Sequence, residues 1–222
     1  MKKFALLAGV VAFAGNAFGV DYFQDFEGSI GAEWSTSSTG SFNGTTHLGR
    51  FDNASATLTV SGLTVGELVT LTFDFYAFDS WDGNAGGVGP DRFRVSMNGA
   101  DVLDSTFSNV SGNNQSYPDP YLGGNHAAQT GATDVDQSHG GTLPNGYYGN
   151  SLYSFGVGSN PSFSVSATSS TMAISFTGSN LQGIGDESWG IDNVHVTSVP
   201  EPGTFAAIGL GLAAIALRRK KA

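Results

Sequence analysis

The sequence predicts an all-β domain, a two-sheet sandwich of the jelly-roll type, held between an N-terminal signal peptide and a C-terminal transmembrane helix. Three observations carry this reading. Apolar and polar residues alternate with a period of two over several short stretches. Gly, Ser, Asn and Asp, the residues of tight turns, separate these stretches, and the 32 glycines follow no Gly-X-Y period. No segment before Gly203 keeps a helical period, and many short strands with such spacing point to a sandwich.

The elements follow in order along the 222 residues, which suffice for one domain with a sizeable core. Residues 1–19 have two lysines, an apolar stretch from Phe4 to Ala14, and the small residues Ala17 and Gly19 before Val20. That is the order of a secretory signal peptide, and the run is too short to span a bilayer comfortably. Residues 20–198 form the predicted sandwich. Val69, Leu71, Phe73, Phe75 and Ala77 alternate with polar residues and Tyr76. Phe93, Val95 and Met97 do the same before an Asn98–Ala100 turn, as do Met172, Ile174 and Phe176. Tyr22–Glu27, Leu48–Phe51, Ala56–Val60, Phe163–Ala167 and Trp189–Thr197 are further strand candidates. Ser108–Ser151, rich in Gly and Asn and containing Pro118, Pro120 and Pro144, reads as one long loop. There is no internal repeat and no second domain.

The chain ends in three parts: Val199-Pro200-Glu201-Pro202, an apolar run from Gly203 to Leu217, and the basic cluster Arg218, Arg219, Lys220 and Lys221. As a helix the 15-residue run reaches about 22 Å, short of a hydrocarbon core of about 30 Å; Arg218 can snorkel, so the run spans only with strain. The basic cluster stays cytoplasmic and leaves the domain outside, the topology that the N-terminus also predicts. Residues 199–222 resemble the PEP-CTERM sorting signal of Gram-negative bacteria. The resemblance implies recognition by an integral-membrane exosortase, cleavage near the motif, and transfer from the inner membrane to the cell surface or extracellular matrix. The segment is an address rather than an active site.

Residues 20–199 carry three basic side chains, Arg50, Arg92 and Arg94, against 18 acidic ones (the 19 of the chain less Glu201), a net charge of −15. Such a surface repels nucleic acid and anionic lipid, and suits divalent cations or neutral partners such as glycans. The chain has no cysteine, so an exported domain must hold together through its core or a bound metal.

Two places offer oxygen ligands for calcium. Asp79, Asp82, Asn84 and Asp91 lie on a glycine-rich loop between two predicted strands, without the closing glutamate of an EF-hand. Asp and Asn are equally ordinary turn residues. The second place joins the two ends of the domain: Tyr22-Phe-Gln-Asp25-Phe-Glu27, followed by Trp34, and Asp186-Glu187-Ser-Trp189-Gly-Ile191-Asp192-Asn193-Val194. The side-chain period slips between Ile191 and Val194, which predicts a bulge near Asp192. A first strand ending in Phe-Glu and a last strand of the form Ile-Asp-Asn-Val resemble jelly-roll lectin-like folds, including carbohydrate-binding modules and MAM-type adhesive domains. That resemblance implies a structural calcium where the first and last strands meet, at Glu27 and Asp192 with Asp25 beside them.

The enzyme signatures are missing. No Gly-x-Ser-x-Gly elbow, His-Glu-x-x-His helix, P-loop or Glu-x-Asp-x-Glu carboxylate run is present. Asp134, Asp136, His139 and His126 make a weak transition-metal group in the long loop. Trp81, Tyr117, Tyr121, Tyr147, Tyr148 and Tyr153 lie in or beside loops, where aromatics either stack on sugars or close the ends of a sandwich. The expectation is therefore an exported, non-enzymatic surface or matrix protein, calcium-stabilised, and structural or polysaccharide-binding. The alternative is a secreted polysaccharide hydrolase or lyase of the same fold.

Overall fold

The computed structural model describes residues 19–42, 44–135 and 150–199. Within them the regular elements are β1 (Asp21–Gln24), β2 (Thr39–Phe42), β3 (Thr45–Phe51), β4 (Ser55–Ser61), β5 (Leu68–Asp79), β6 (Arg92–Met97) and β7 (Ala100–Thr106). There follow β8 (Asn114–Gln115), β9 (His126–Ala127), β10 (Asp134–Val135), β11 (Ser151–Phe155), β12 (Phe163–Ser166), β13 (Thr171–Ser179) and β14 (Glu187–Val199). The named strands pair antiparallel throughout. No helix among the described residues is long and apolar enough to cross a membrane. The predicted signal peptide up to residue 18, and the predicted C-terminal helix and basic tail, lie outside the described residues.

Of the two large sheets, one runs β10–β11–β5–β14–β3–β2 and the other β4–β13–β6–β7, while β8 and β9 form a separate two-stranded ribbon. The two longest strands, β5 and β14, lie side by side at the centre of the first. The free flank of β5 is shared by β11 and β12, and that of β14 by β3 and β1. The chain's first and last strands therefore meet, with Asp21 opposite Thr197.

The period-two rows of the sequence supply the interior between the sheets. Phe73 and Phe75 of β5 and Trp189 and Ile191 of β14 point inward and are buried. Phe75 stacks on Phe93 of the opposing sheet with centroids 3.9 Å apart, and Phe73 meets Phe176 edge-on at 5.1 Å. Trp189 packs on Phe93 at 5.3 Å and donates its indole N–H to the Asp52 carbonyl at 2.7 Å. A Cβ at residue 178 would come within 2.3 Å of that indole nitrogen, so glycine stands there to let the ring in.

The predicted slip in β14 is present as a register shift against β5 between Asp192 and His195, with Asn193 at φ 48°. The long loop differs from the expectation in part. Its first half folds back onto the sandwich and contributes β8, β9 and β10. Tyr117 and Gln115 of this segment are buried, Tyr117 stacking on Phe107 and bonding Asn160 at 2.7 Å. Polar composition hid this packing, because amide and hydroxyl groups such as Gln115 and Ser116 satisfy the buried backbone there.

The outer face of the first sheet carries a second, smaller apolar cluster of Phe42, Tyr76 and Phe78. His47 lies against it, buried, with neither ring nitrogen hydrogen-bonded among the described residues. Glycines at 40 and 190 leave room for the ring, since a Cβ at either would approach it within 3 Å. Burial, and secondarily Arg50, push the His47 pKa down to about 4.

Two outcomes are expected. Phe93→Ala, which empties the centre of the inter-sheet stack, costs about 3–5 kcal/mol by urea denaturation. His47 is neutral in both states above its unfolded pKa near 6.5, and below that the unfolded chain takes the proton first. Its contribution is therefore lost as pH falls from about 6.5 to about 4, by about 3 kcal/mol in all. The measurement is the difference in melting temperature between wild type and His47→Phe across that window, since carboxylates with raised pKa act in the opposite direction.

Candidate functional site

The acidic residues singled out in the sequence are distributed over three environments. The loop between β5 and β6 is fixed by backbone bonds to its neighbours: Asp91 N–H to the Gly83 carbonyl, Asn84 N–H to the Asn114 carbonyl and Asn109 N–H to the Trp81 carbonyl. Gly83 adopts φ +61°, and a Cβ on it would lie 2.3 Å from the Asn114 oxygen. Trp81 is buried and donates its indole N–H to the Ser188 carbonyl at 2.8 Å, which draws the loop onto the start of β14.

The result is a group of three carboxylates from three parts of the chain. Asp82 comes from the loop, Asp91 from the residue before β6 and Glu187 from the first residue of β14. One oxygen from each lies within 4.8 Å of the others. Asp82 is half-buried and accepts from the Asn113 amide at 2.7 Å, while its own backbone N–H donates to Asp91 Oδ2. The Gln182 backbone N–H donates to Glu187 Oε2 at 2.6 Å. Asp91 and Glu187 are both fully buried, and Asp91 Oδ1 and Glu187 Oε1 accept from no N–H or hydroxyl group among the described residues. Burial pushes both carboxyls well above the ordinary range, and the charge of Asp82 adds to it in each.

Asp79 and Asn84, placed on the same loop by the sequence, do not join this group. Asp79 is buried and forms an ion pair with Arg50, whose Nε also donates to Ser188 at 2.7 Å. Burial nonetheless pushes the Asp79 pKa up to about 6 against the pull of Arg50. Asn84 accepts from the Thr106 hydroxyl at 2.5 Å. Arg92 and Arg94 face Asp104 and Asp101, so all three arginines of the domain have aspartate partners outside the trio.

The third environment is the seam of first and last strands. There Thr45 bridges Glu27 at 2.8 Å and Asp192 at 3.1 Å, and the Thr46 N–H donates to Glu27. Asp192 also accepts from Asn193, which in turn donates to Asp74 at 2.8 Å. Burial, with Asp74 and Glu27 nearby, pushes the Asp192 pKa up to about 7, while the Thr46 and Thr45 bonds hold the exposed Glu27 low. Asp25 caps the Glu27 N–H at 3.2 Å. In this seam both oxygens of Asp192 have donors, whereas Asp91 and Glu187 each have a donor on one oxygen only among the described residues.

Glu187 was not among the selected ligands, although a signal for it exists. It is in phase with Trp189 and Ile191, as Asp91 is with Phe93 and Val95, so both acids extend core-facing rows. Of the loop aromatics, Trp81, Tyr117 and Tyr153 are buried in the core and offer no platform to a sugar. Tyr121 lies under the Arg92 guanidinium, 4.0 Å from it, and Tyr147 and Tyr148 are outside the described residues. His126 bonds Asp119 at 2.9 Å, Asp134 is exposed, and Asp136 and His139 are outside the described residues.

Comparison with known proteins bears on the C-terminus. Residues 198–220 match the PEP-CTERM protein-sorting motif, which implies an exported protein processed by an exosortase at the membrane and passed to the cell surface. No curated protein matches the chain. Among solved structures, dimeric latent PorU from Porphyromonas gingivalis aligns with 82% of this chain at 12% identity and a TM-score of 0.40. The chain spans only 12% of that protein.

Removing Arg50 while keeping Asp79 leaves a buried carboxylate without its cation. Arg50→Ala is expected to cost about 2–4 kcal/mol in urea melts, less than a fully buried pair because Arg50 reaches solvent. The double variant Arg50→Ala/Asp79→Asn is expected to recover much of that loss.

Proposed function

We propose that the protein is a non-enzymatic component of the cell surface or extracellular matrix. In this reading a jelly-roll-type sandwich serves a structural role or binds a neutral polysaccharide, and the C-terminal signal delivers it. The carrying observation is the PEP-CTERM motif at 198–220, which overlaps the end of β14 at Ser198 and Val199. The strongly acidic domain suits a neutral glycan better than an anionic polymer or nucleic acid.

A hydrolase or lyase on the same fold needs an acid pair within reach of a polymer. The carboxyls raised most by burial, those of Asp79, Asp91, Glu187 and Asp192, are each at most 1% exposed. That burial supports the binding or structural reading over the catalytic one.

Replacing Pro200-Glu201-Pro202 by alanines is expected to leave export intact and hold the protein in the inner membrane, read by fractionation. Unchanged arrival at the surface would overturn the sorting assignment. Incubation of the wild type with neutral polysaccharides, scored by co-sedimentation, separates the polysaccharide-binding role from the purely structural one.

A further inference from the structure

The sandwich interior closes at one end on three carboxylates instead of apolar side chains. Asp91 and Glu187 sit where the core-facing rows of β6 and β14 begin, wholly out of water, and among the described residues each has one oxygen that receives no donor other than a proton shared between the two acids. Leaving buried acceptors of this kind unpaired is costly, and more so when they carry charge. Elsewhere Thr45 and Asn193 donate to both oxygens of Asp192, and Asp79, although its Oδ1 is likewise unpaired among the described residues, has a cation beside it in Arg50. At the trio the described arginines are engaged with other aspartates. The described residues therefore bring no cation to the trio.

We propose that Asp82, Asp91 and Glu187 bind a divalent cation of the calcium type, which ties the loop after β5 to the first residue of β14. The donor set is oxygen only, which favours a hard cation over zinc or copper. The oxygens all lie within 4.8 Å of one another, inside the about 5 Å that separates oxygens on opposite sides of a calcium ion. The loop geometry serves the site: Gly83 and the Trp81–Ser188 bond bring Asp82 to Glu187 across 105 residues of sequence. In a domain with no cysteine this cation does the work of a cross-link between distant segments. The site is distinct from the Glu27–Asp192 seam, and the proposal stands whether or not the protein binds a polysaccharide.

The test uses the purified full chain, stripped with chelator and titrated with calcium chloride up to several millimolar, the range of extracellular calcium modules. At ten times Kd the melting temperature is expected to rise by about 3–6 °C. Glu187→Gln and Asp91→Asn should abolish this rise without lowering the metal-free melting temperature, because an amide can donate to the facing carboxylate. Terbium, which replaces calcium at oxygen sites, should show tryptophan-sensitised emission in the wild type, since Trp81 adjoins Asp82 and Trp189 lies two residues from Glu187. That emission should be lost in Glu187→Gln. Asp192→Asn should keep both responses. A wild-type melt unmoved by calcium, together with no sensitised emission, would mean that the buried pair shares a proton and would overturn the proposal. Loss of both responses in Asp192→Asn with retention in Glu187→Gln would overturn it equally, by moving the cation to the seam.

Discussion

The ladder between β5 and β14 is the constraint on which the fold rests. It runs from Glu187 opposite Asp79 to Val199 opposite Leu68, interrupted only by the shift after Asp192. Because side chains alternate, this one pairing fixes both faces of the central sheet at once. Inward it aligns Phe73 and Phe75 with Trp189, Ile191 and Val196 against the other sheet. Outward it puts Asp74 opposite Asp192, and Gly190 opposite Tyr76, where His47 enters. The two strands are more than a hundred residues apart in sequence, so their meeting closes a long loop and is expected late in folding.

Charge sets the second constraint. With three arginines against 18 acids, the domain cannot neutralise its buried carboxylates by ion pairs alone. It uses Arg50 once, for Asp79, and uses hydroxyl and amide donors at Asp192. What separates the seam from the trio is the supply of such donors. Thr45, Thr46 and Asn193 converge on the seam, whereas the donors at the trio reach Asp82, Asp91 Oδ2 and Glu187 Oε2 and leave Asp91 Oδ1 and Glu187 Oε1 without one among the described residues. A carboxylate beside a hydroxyl is a finished structure, and one beside another carboxylate is not.

Much of the architecture was legible in the sequence because period-two alternation is a direct record of a sheet with one buried face. The rows at 69–77, 93–97 and 172–176 are all core rows, and the slip at Asp192 is a real irregularity. The short strands β2 and β11 were not visible, since Thr39-Gly-Ser-Phe42 and Ser151-Leu-Tyr-Ser-Phe155 are small or mixed and take their place from neighbours. The acidic loop was recognised as a ligand source, but its membership was not. Asp79 left it for Arg50, and Glu187 joined it from a hundred residues away, a pairing set only by tertiary structure. The phase of Asp91 and Glu187 with their strands' apolar rows was the one local hint.

The position of β14 has a mechanical consequence. Val199 ends a strand hydrogen-bonded on both flanks, by β5 on one side and by β1 and β3 on the other, and the sorting motif continues from it without a spacer. A pull applied at the C-terminal end runs along that strand. Its ladder bonds lie across the line of force and must yield together rather than one by one. A protein held by its C-terminus against flow or a moving cell would therefore meet drag in shear, the direction in which a sheet resists best. Had the chain ended on an edge strand such as β2 or β7, the same load could peel it open.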